Sequence, residues 1–165
     1  MFKKYIAIGM LSLSGVAFAE DVPISGTVQS KCSVYTETQG VYGSPYPYQL
    51  STASSDGGVL PKIRVDTSAA GYYLARITTP DSFSSSPSLP DSVAWTGSST
   101  VDSVGDSNMS VYETNKVVYD NVTEYDLTVA GSVWITASST ATYGVDTSFP
   151  AGNYTAIVTA ECIAK

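Results

Sequence analysis

Apolar and polar residues alternate one by one in short runs along this chain, and glycine, proline or serine clusters close each run. That pattern restricts the chain to strands. Residues 24–34 show it plainly: Ile24, Gly26, Val28, Ser30, Cys32 and Val34 alternate with Ser25, Thr27, Gln29, Lys31 and Ser33. A period of two sends alternate side chains to opposite sides of a pleated strand. The pattern returns over residues 60–66 and 72–78, which the Gly71 turn joins as an expected pair. It recurs at 92–95, at 116–119, over 124–137 with Ala130-Gly131 as an expected bulge, and over 154–163.

Between these runs, residues 35–58 carry Gly40, Gly43, Pro45, Pro47 and Gly57-Gly58, and read as an irregular loop or short edge segments. Residues 79–91 read as a surface excursion, and the Ser-, Asp- and Gly-rich residues 98–110 as a second loop. Outside the first nineteen residues no run of ten or more has helical i, i+3, i+4 spacing. Many short strands with turn clusters between them imply an all-β fold, an Ig-like antiparallel β-sandwich, with a barrel as the alternative.

The leading nineteen residues differ from the rest. Lys3 and Lys4 precede an apolar stretch through Leu13, and Ala17-Phe18-Ala19 closes it. This is the layout of a secretory signal peptide, too short in its apolar part for a spanning helix. The expected organisation is a leader over residues 1–19 and one β-sandwich domain over 20–165, exported to the cell surface.

Export bears on the cysteines. Cys32 and Cys162 are the only two, and an oxidising compartment favours a disulfide between them, stapling the first strand to the last. Free buried thiols or a reactive nucleophile are the competing readings, but no basic cluster adjoins either residue to lower a thiol pKa.

Composition removes most chemistry. The 165 residues hold 8 Lys+Arg against 15 Asp+Glu, for a net charge of −7, and no histidine. The missing basic excess argues against nucleic acid as a partner. Without histidine, Ser-His-Asp and Cys-His catalysis and every His-ligated metal site are excluded. Asp102 with Asp106, or Asp120 with Glu124 and Asp126, could supply oxygen ligands to calcium, but no EF-hand spacing is present and solvated loop carboxylates are the simpler reading. No pair of acids is singled out for glycoside hydrolysis. Neither a cofactor nor an enzymatic activity is expected.

Tyrosine is the informative excess, with 12 in the chain. Tyr35, Tyr42, Tyr46 and Tyr48 fall in a segment stiffened by Pro45 and Pro47, and could offer a flat amphipathic surface to a glycan or a protein. The alternative is that these rings cover the end of the sandwich or pack at strand edges. Trp95 and Trp134 read as core residues.

The two ends carry a resemblance. Ile24-Ser25-Gly26-Thr27-Val28-Gln29-Ser30-Lys31-Cys32-Ser33-Val34 resembles the first strand of chaperone-usher pilus subunits, where a Gly-x-Val-type strand runs into a cysteine. Phe149-Pro150-Ala151-Gly152-Asn153-Tyr154-Thr155-Ala156-Ile157-Val158-Thr159-Ala160 is similar to the closing strand of bacterial fimbrial sandwiches. The resemblance covers about a fifth of the chain. It implies a pilin-like subunit that forms a homopolymer by β-strand addition, with a periplasmic chaperone and an outer-membrane usher as assembly partners. Usher-family pilins place their second cysteine earlier, and their donor arm is longer. Here a strand beginning at Ile24 leaves only Asp21, Val22, Pro23 and Ile24 as a candidate donor arm, with Val22 and Ile24 as its apolar plugs. The expected function is a structural subunit of a surface fimbria that polymerises and mediates attachment. The alternative is a monomeric exported carbohydrate-binding module using the tyrosine loop.

Overall fold

The computed structural model describes residues 24–144 and 147–165. The leader, and Asp21, Val22 and Pro23 of the candidate arm, lie outside the described residues.

The chain is an all-β sandwich of two antiparallel sheets. Its strands are β1 (Cys32–Thr38), β2 (Gly43–Tyr46), β3 (Gln49–Ser51), β4 (Lys62–Thr67), β5 (Tyr73–Thr78), β6 (Val93–Val104), β7 (Val117–Tyr119), β8 (Val122–Asp126), β9 (Gly131–Tyr143) and β10 (Thr159–Ala164). A short helix, α1 (Tyr112–Asn115), follows a 3-10 turn at Ser107–Val111. The first sheet is organised on β9. One side of β9 takes β4 and then β1 along its first half, and β3 and then β2 along its second half, while β6 covers the other side. The second sheet runs β10-β5-β8-β7.

Alternation explains the core. In β9, Val133, Ile135, Ala137 and Ala141 point inward and are buried, while Ser132, Trp134, Thr136 and Ser138 form the outer face. Ile63 and Val65 of β4 meet Ala75 and Ile77 of β5 and Tyr125 of β8 in one buried cluster. Tyr125 is wholly buried, so its phenol needs a partner. The Ser99 hydroxyl of β6 supplies it at 2.9 Å across the two sheets.

Six expectations are corrected. β1 starts at Cys32, so residues 24–31 form no strand and are exposed. The segments before and after Gly71 do not pair: β4 joins β1 and β9, whereas β5 joins β10 and β8. The Gly71 turn, at φ 74°, crosses from one sheet to the other, and a two-residue period cannot distinguish that from a hairpin. The 124–137 stretch divides likewise. β8 ends at Asp126, and at Gly131 the chain enters the opposite sheet, so Ala130-Gly131 is a crossover and not a bulge. Gly131 has φ 146°, and a Cβ there would lie 2.6 Å from the buried Met109 Cε.

Residues 98–104, expected as loop, continue β6, because Ser98 and Thr100 line up with Ser138 and Thr136 of β9 and share hydroxyl hydrogen bonds with them. Cross-strand hydroxyl pairing gives a polar run a reason to be strand that composition alone conceals. Lastly, of the expected 154–163 strand only residues 159–163 join the β10 ladder, apart from an isolated bridge at Thr155. The tryptophans also leave the core: Trp134 lies half-buried on the outer face of β9, and Trp95 packs into an aromatic cluster with Phe83 at 4.7 Å.

Cys32 and Cys162 are bonded, with Cα atoms 6.0 Å apart, and join β1 of one sheet to β10 of the other. The loop so closed spans 130 residues. For such a length the chain-entropy argument gives at most about 5 kcal/mol of stabilisation.

Candidate functional site

Two strands at one flank of the sandwich lack a second partner among the described residues. β1 pairs only with β4, and β10 only with β5. The disulfide ties them at one end. Toward the other end the sheets part, and residues 154–158 continue past β5 with a single bridge, Thr155 to Ser85. An open groove of about 720 Å³ lies here. Thr36 and Thr38 of β1 line it on one side, Ile157 and Val158 on the other, and Leu50 and Ile63 add apolar surface from the first sheet. Ile157 is 62% exposed. Backbone groups without ladder partners beside apolar surface make a site that accepts a strand.

The segment preceding β1 is exposed and alternates apolar with polar residues. Ser68 holds its base: the Ser68 hydroxyl donates to the Gln29 carbonyl at 2.8 Å and accepts the Lys31 N–H at 2.9 Å. Ahead of that tie, Ile24 is 100% exposed and Val28 84%. Gly26 falls between them on the same side of an extended chain. Of the candidate arm residues only Ile24 is among the described ones, and the exposed segment runs on from it to Lys31. The missed signal is in the sequence: Ser25, Thr27 and Gln29 are small or polar enough for solvent, so the alternation served an unpaired strand as well as a paired one.

Arm and groove lie at opposite ends. Cys32 pairs with Thr67, and Thr67 with Gly131 at the start of β9. Leu50, in the groove, pairs with Ala141 near the end of β9.

The four candidate tyrosines are dispersed. Tyr35 sits on the outer face of β1 under the Arg64 guanidinium, 4.7 Å from its ring centre. Tyr42 is half-buried and its hydroxyl meets the Ser139 hydroxyl at 2.8 Å; burial raises its pKa and that bond opposes the rise. Only Tyr46 and Tyr48 come together, stacked 5.4 Å apart with planes 5° from parallel. Of the four, Tyr42 also joins a larger aromatic cluster, meeting Phe83 edge-on at 6.4 Å beside Trp95, Phe149 and Tyr154.

The acidic candidates are separated too. Asp102 pairs with Lys62 at 2.7 Å, Asp126 with Lys165 at 2.6 Å and Glu124 with Arg76 at 2.6 Å, while Asp106 accepts the Asn108 N–H at 2.8 Å. Arg76 and then the Tyr119 hydroxyl hold the Glu124 carboxyl below its ordinary pKa. Among the described residues no three acids or cysteines converge as a metal site. Comparison with known families, characterised proteins and solved structures finds no match to this chain, so its site stands on its own geometry.

Proposed function

We propose that this chain is a structural subunit of a bacterial surface fimbria, an Ig-like, pilin-type domain that is exported by its leader, polymerises by β-strand addition and mediates attachment. One observation carries the reading: an exposed alternating arm at one end of the sandwich and an open apolar groove at the other. A neighbour's arm in the groove would satisfy unpaired backbone groups and bury Ile24 and Val28 together. Complete burial of such side chains contributes roughly 1.5–3 kcal/mol each. Because donor and acceptor lie at opposite ends, the contact is head-to-tail, and a head-to-tail contact that does not close into a ring grows as a filament. The weak likeness of both chain ends to pilus subunits supports the same reading, with a chaperone and usher as assembly partners and no catalytic role.

The test is electron microscopy of the mature protein beside a variant lacking residues 20–28. Filaments from the first, with folded monomers from the second, are expected. Filaments from the truncated chain would remove the arm as donor. The alternative, a monomeric carbohydrate-binding module, is favoured by the exposed Tyr46–Tyr48 stack, and monodisperse mature protein that retains a glycan would select it.

A further inference from the structure

We infer that the Tyr46–Tyr48 pair, together with the cavity where β6 begins and β9 ends, is a binding site for a neutral oligosaccharide. The inference gives the attachment part of the fimbrial reading its chemistry, and it uses residues apart from the arm and groove.

Tyr46 and Tyr48 remain 54% and 42% exposed although they are stacked on each other. Two tyrosines held parallel in solvent present an outward ring face with hydroxyls at the edge, which suits a pyranose: its C–H face packs on the ring and its hydroxyls reach polar neighbours. Pro45 and Pro47 alternate with the two tyrosines and restrict the backbone, so little freedom remains to be lost on binding.

The polar neighbours lie across β9. A cavity of about 460 Å³ is lined by Asp91, Ser92, Ala94, Thr142 and Gly144. Gln49 of β3 and Ala94 of β6 both pair with Thr142, so the hairpin and the cavity flank the same residue, one strand spacing to each side. A strand spacing is about 4.8 Å, which places the two parts within the span of a di- or trisaccharide.

One chain of contacts fixes them relative to each other. The Phe149 N–H donates to the Pro47 carbonyl at 2.9 Å, the Phe149 ring stacks on Tyr143 at 5.1 Å, and the buried Tyr143 hydroxyl accepts the Asp91 N–H at 3.3 Å. The Tyr143 N–H in turn donates to the Tyr48 carbonyl at 2.9 Å. A ring platform and a carboxylate are thereby built on one rigid support.

Charge selects the ligand class. Among the described residues Asp91 is the only ionisable one lining the cavity, and its carboxylate is suited to accept two vicinal hydroxyls. With a chain charge of −7, sialylated and sulfated glycans are repelled. Neutral sugars with a continuous C–H face remain.

The experiment is a titration of the mature chain with cellotriose, chitotriose and a galactotriose, followed by NMR of the tyrosine rings and by calorimetry, with 3'-sialyllactose as the charged probe. Binding of at least one neutral probe with shifts at Tyr46 and Tyr48 is expected, and none of the sialylated one. Tyr46→Ala/Tyr48→Ala and Asp91→Asn should each weaken binding about tenfold or more, equivalent to roughly 1.4 kcal/mol. Circular dichroism and melting of the variants establish that they remain folded. Absence of binding by all neutral probes at millimolar concentration, or binding indifferent to both variants, overturns the inference. So does a tyrosine variant that loses filament assembly and keeps sugar binding, which would make the pair a subunit contact. Filaments without sugar binding would sink this inference alone, and sugar-binding monomers the fimbrial reading alone.

Discussion

The two outer flanks of the first sheet, β6 and β1, both end without a second strand, yet only one is finished. On β6, side chains from α1 and the residue after it occupy the edge: Glu113 accepts the Val101 N–H at 2.8 Å, and Lys116 donates to the Ser99 carbonyl at 2.8 Å while pairing with Glu113. A strand edge whose groups are taken by charged side chains cannot template another chain. On β1 no such cover lies over Thr36 and Thr38 among the described residues, and apolar surface lies open beside them. The difference teaches that openness at β1 is selective. Among the described residues the chain caps edge groups of β6 at Ser99 and Val101 with charged side chains and does not do so on β1.

That contrast can be broken most strongly at the disulfide, which holds the open flank together. Replacing both cysteines, Cys32→Ser with Cys162→Ser, should cost about 2–5 kcal/mol in denaturant melts. A loss well under 1 kcal/mol would mean that β1 and β10 are held by packing alone. Glu113→Ala comes next. It strands the Val101 N–H and leaves Lys116 without its acid, for an expected loss of about 1–3 kcal/mol. It should also add disordered aggregation through β6, visible by light scattering; unchanged scattering would show that the edge needs no cover.

A third test lies between the flanks, where Ser99 meets Tyr125. Burial drives the Tyr125 pKa to about 12 from its ordinary value near 10. The unfolded chain therefore loses this proton first as pH rises. Stability should be intact below about pH 10 and fall between pH 10 and 12, the unfolded and folded values. Urea melts of the parent and Tyr125→Phe across that window should show a shallower fall in the variant. Equal slopes would assign the loss to other groups. The smallest stability effect is expected at Ile157→Ser, within about 0.5 kcal/mol because the side chain is largely in solvent. Its assembly effect should nonetheless be large, and normal filaments from this variant would separate the groove from polymerisation.

Legibility differed between these regions. The strand at 62–67 was readable because Ile63, Val65 and Thr67 are buried against Lys62, Arg64 and Asp66 outside, so the pattern states both strand and face. The second half of β6 was not readable: Ser98, Ser99, Thr100 and Ser103 look like loop until β9 is laid beside them. The groove was invisible for a similar reason, since Leu50, Ile63 and Ile157 lie apart in the chain and nothing local says that they line one groove. Among the candidate tyrosines, proline spacing suggested a stiff surface, but only the fold determined that Tyr46 and Tyr48 stack while Tyr35 and Tyr42 turn elsewhere.

By itself the sequence determined the all-β class and the pair of cysteines able to close a disulfide, because period-two alternation and residue chemistry are local properties. Tertiary structure alone decided which strands share a sheet, where β1 begins and which edge is covered. An alternating segment satisfies the pleat equally well in either sheet, or in none, and only the burial and hydrogen bonds offered by distant neighbours separate those states.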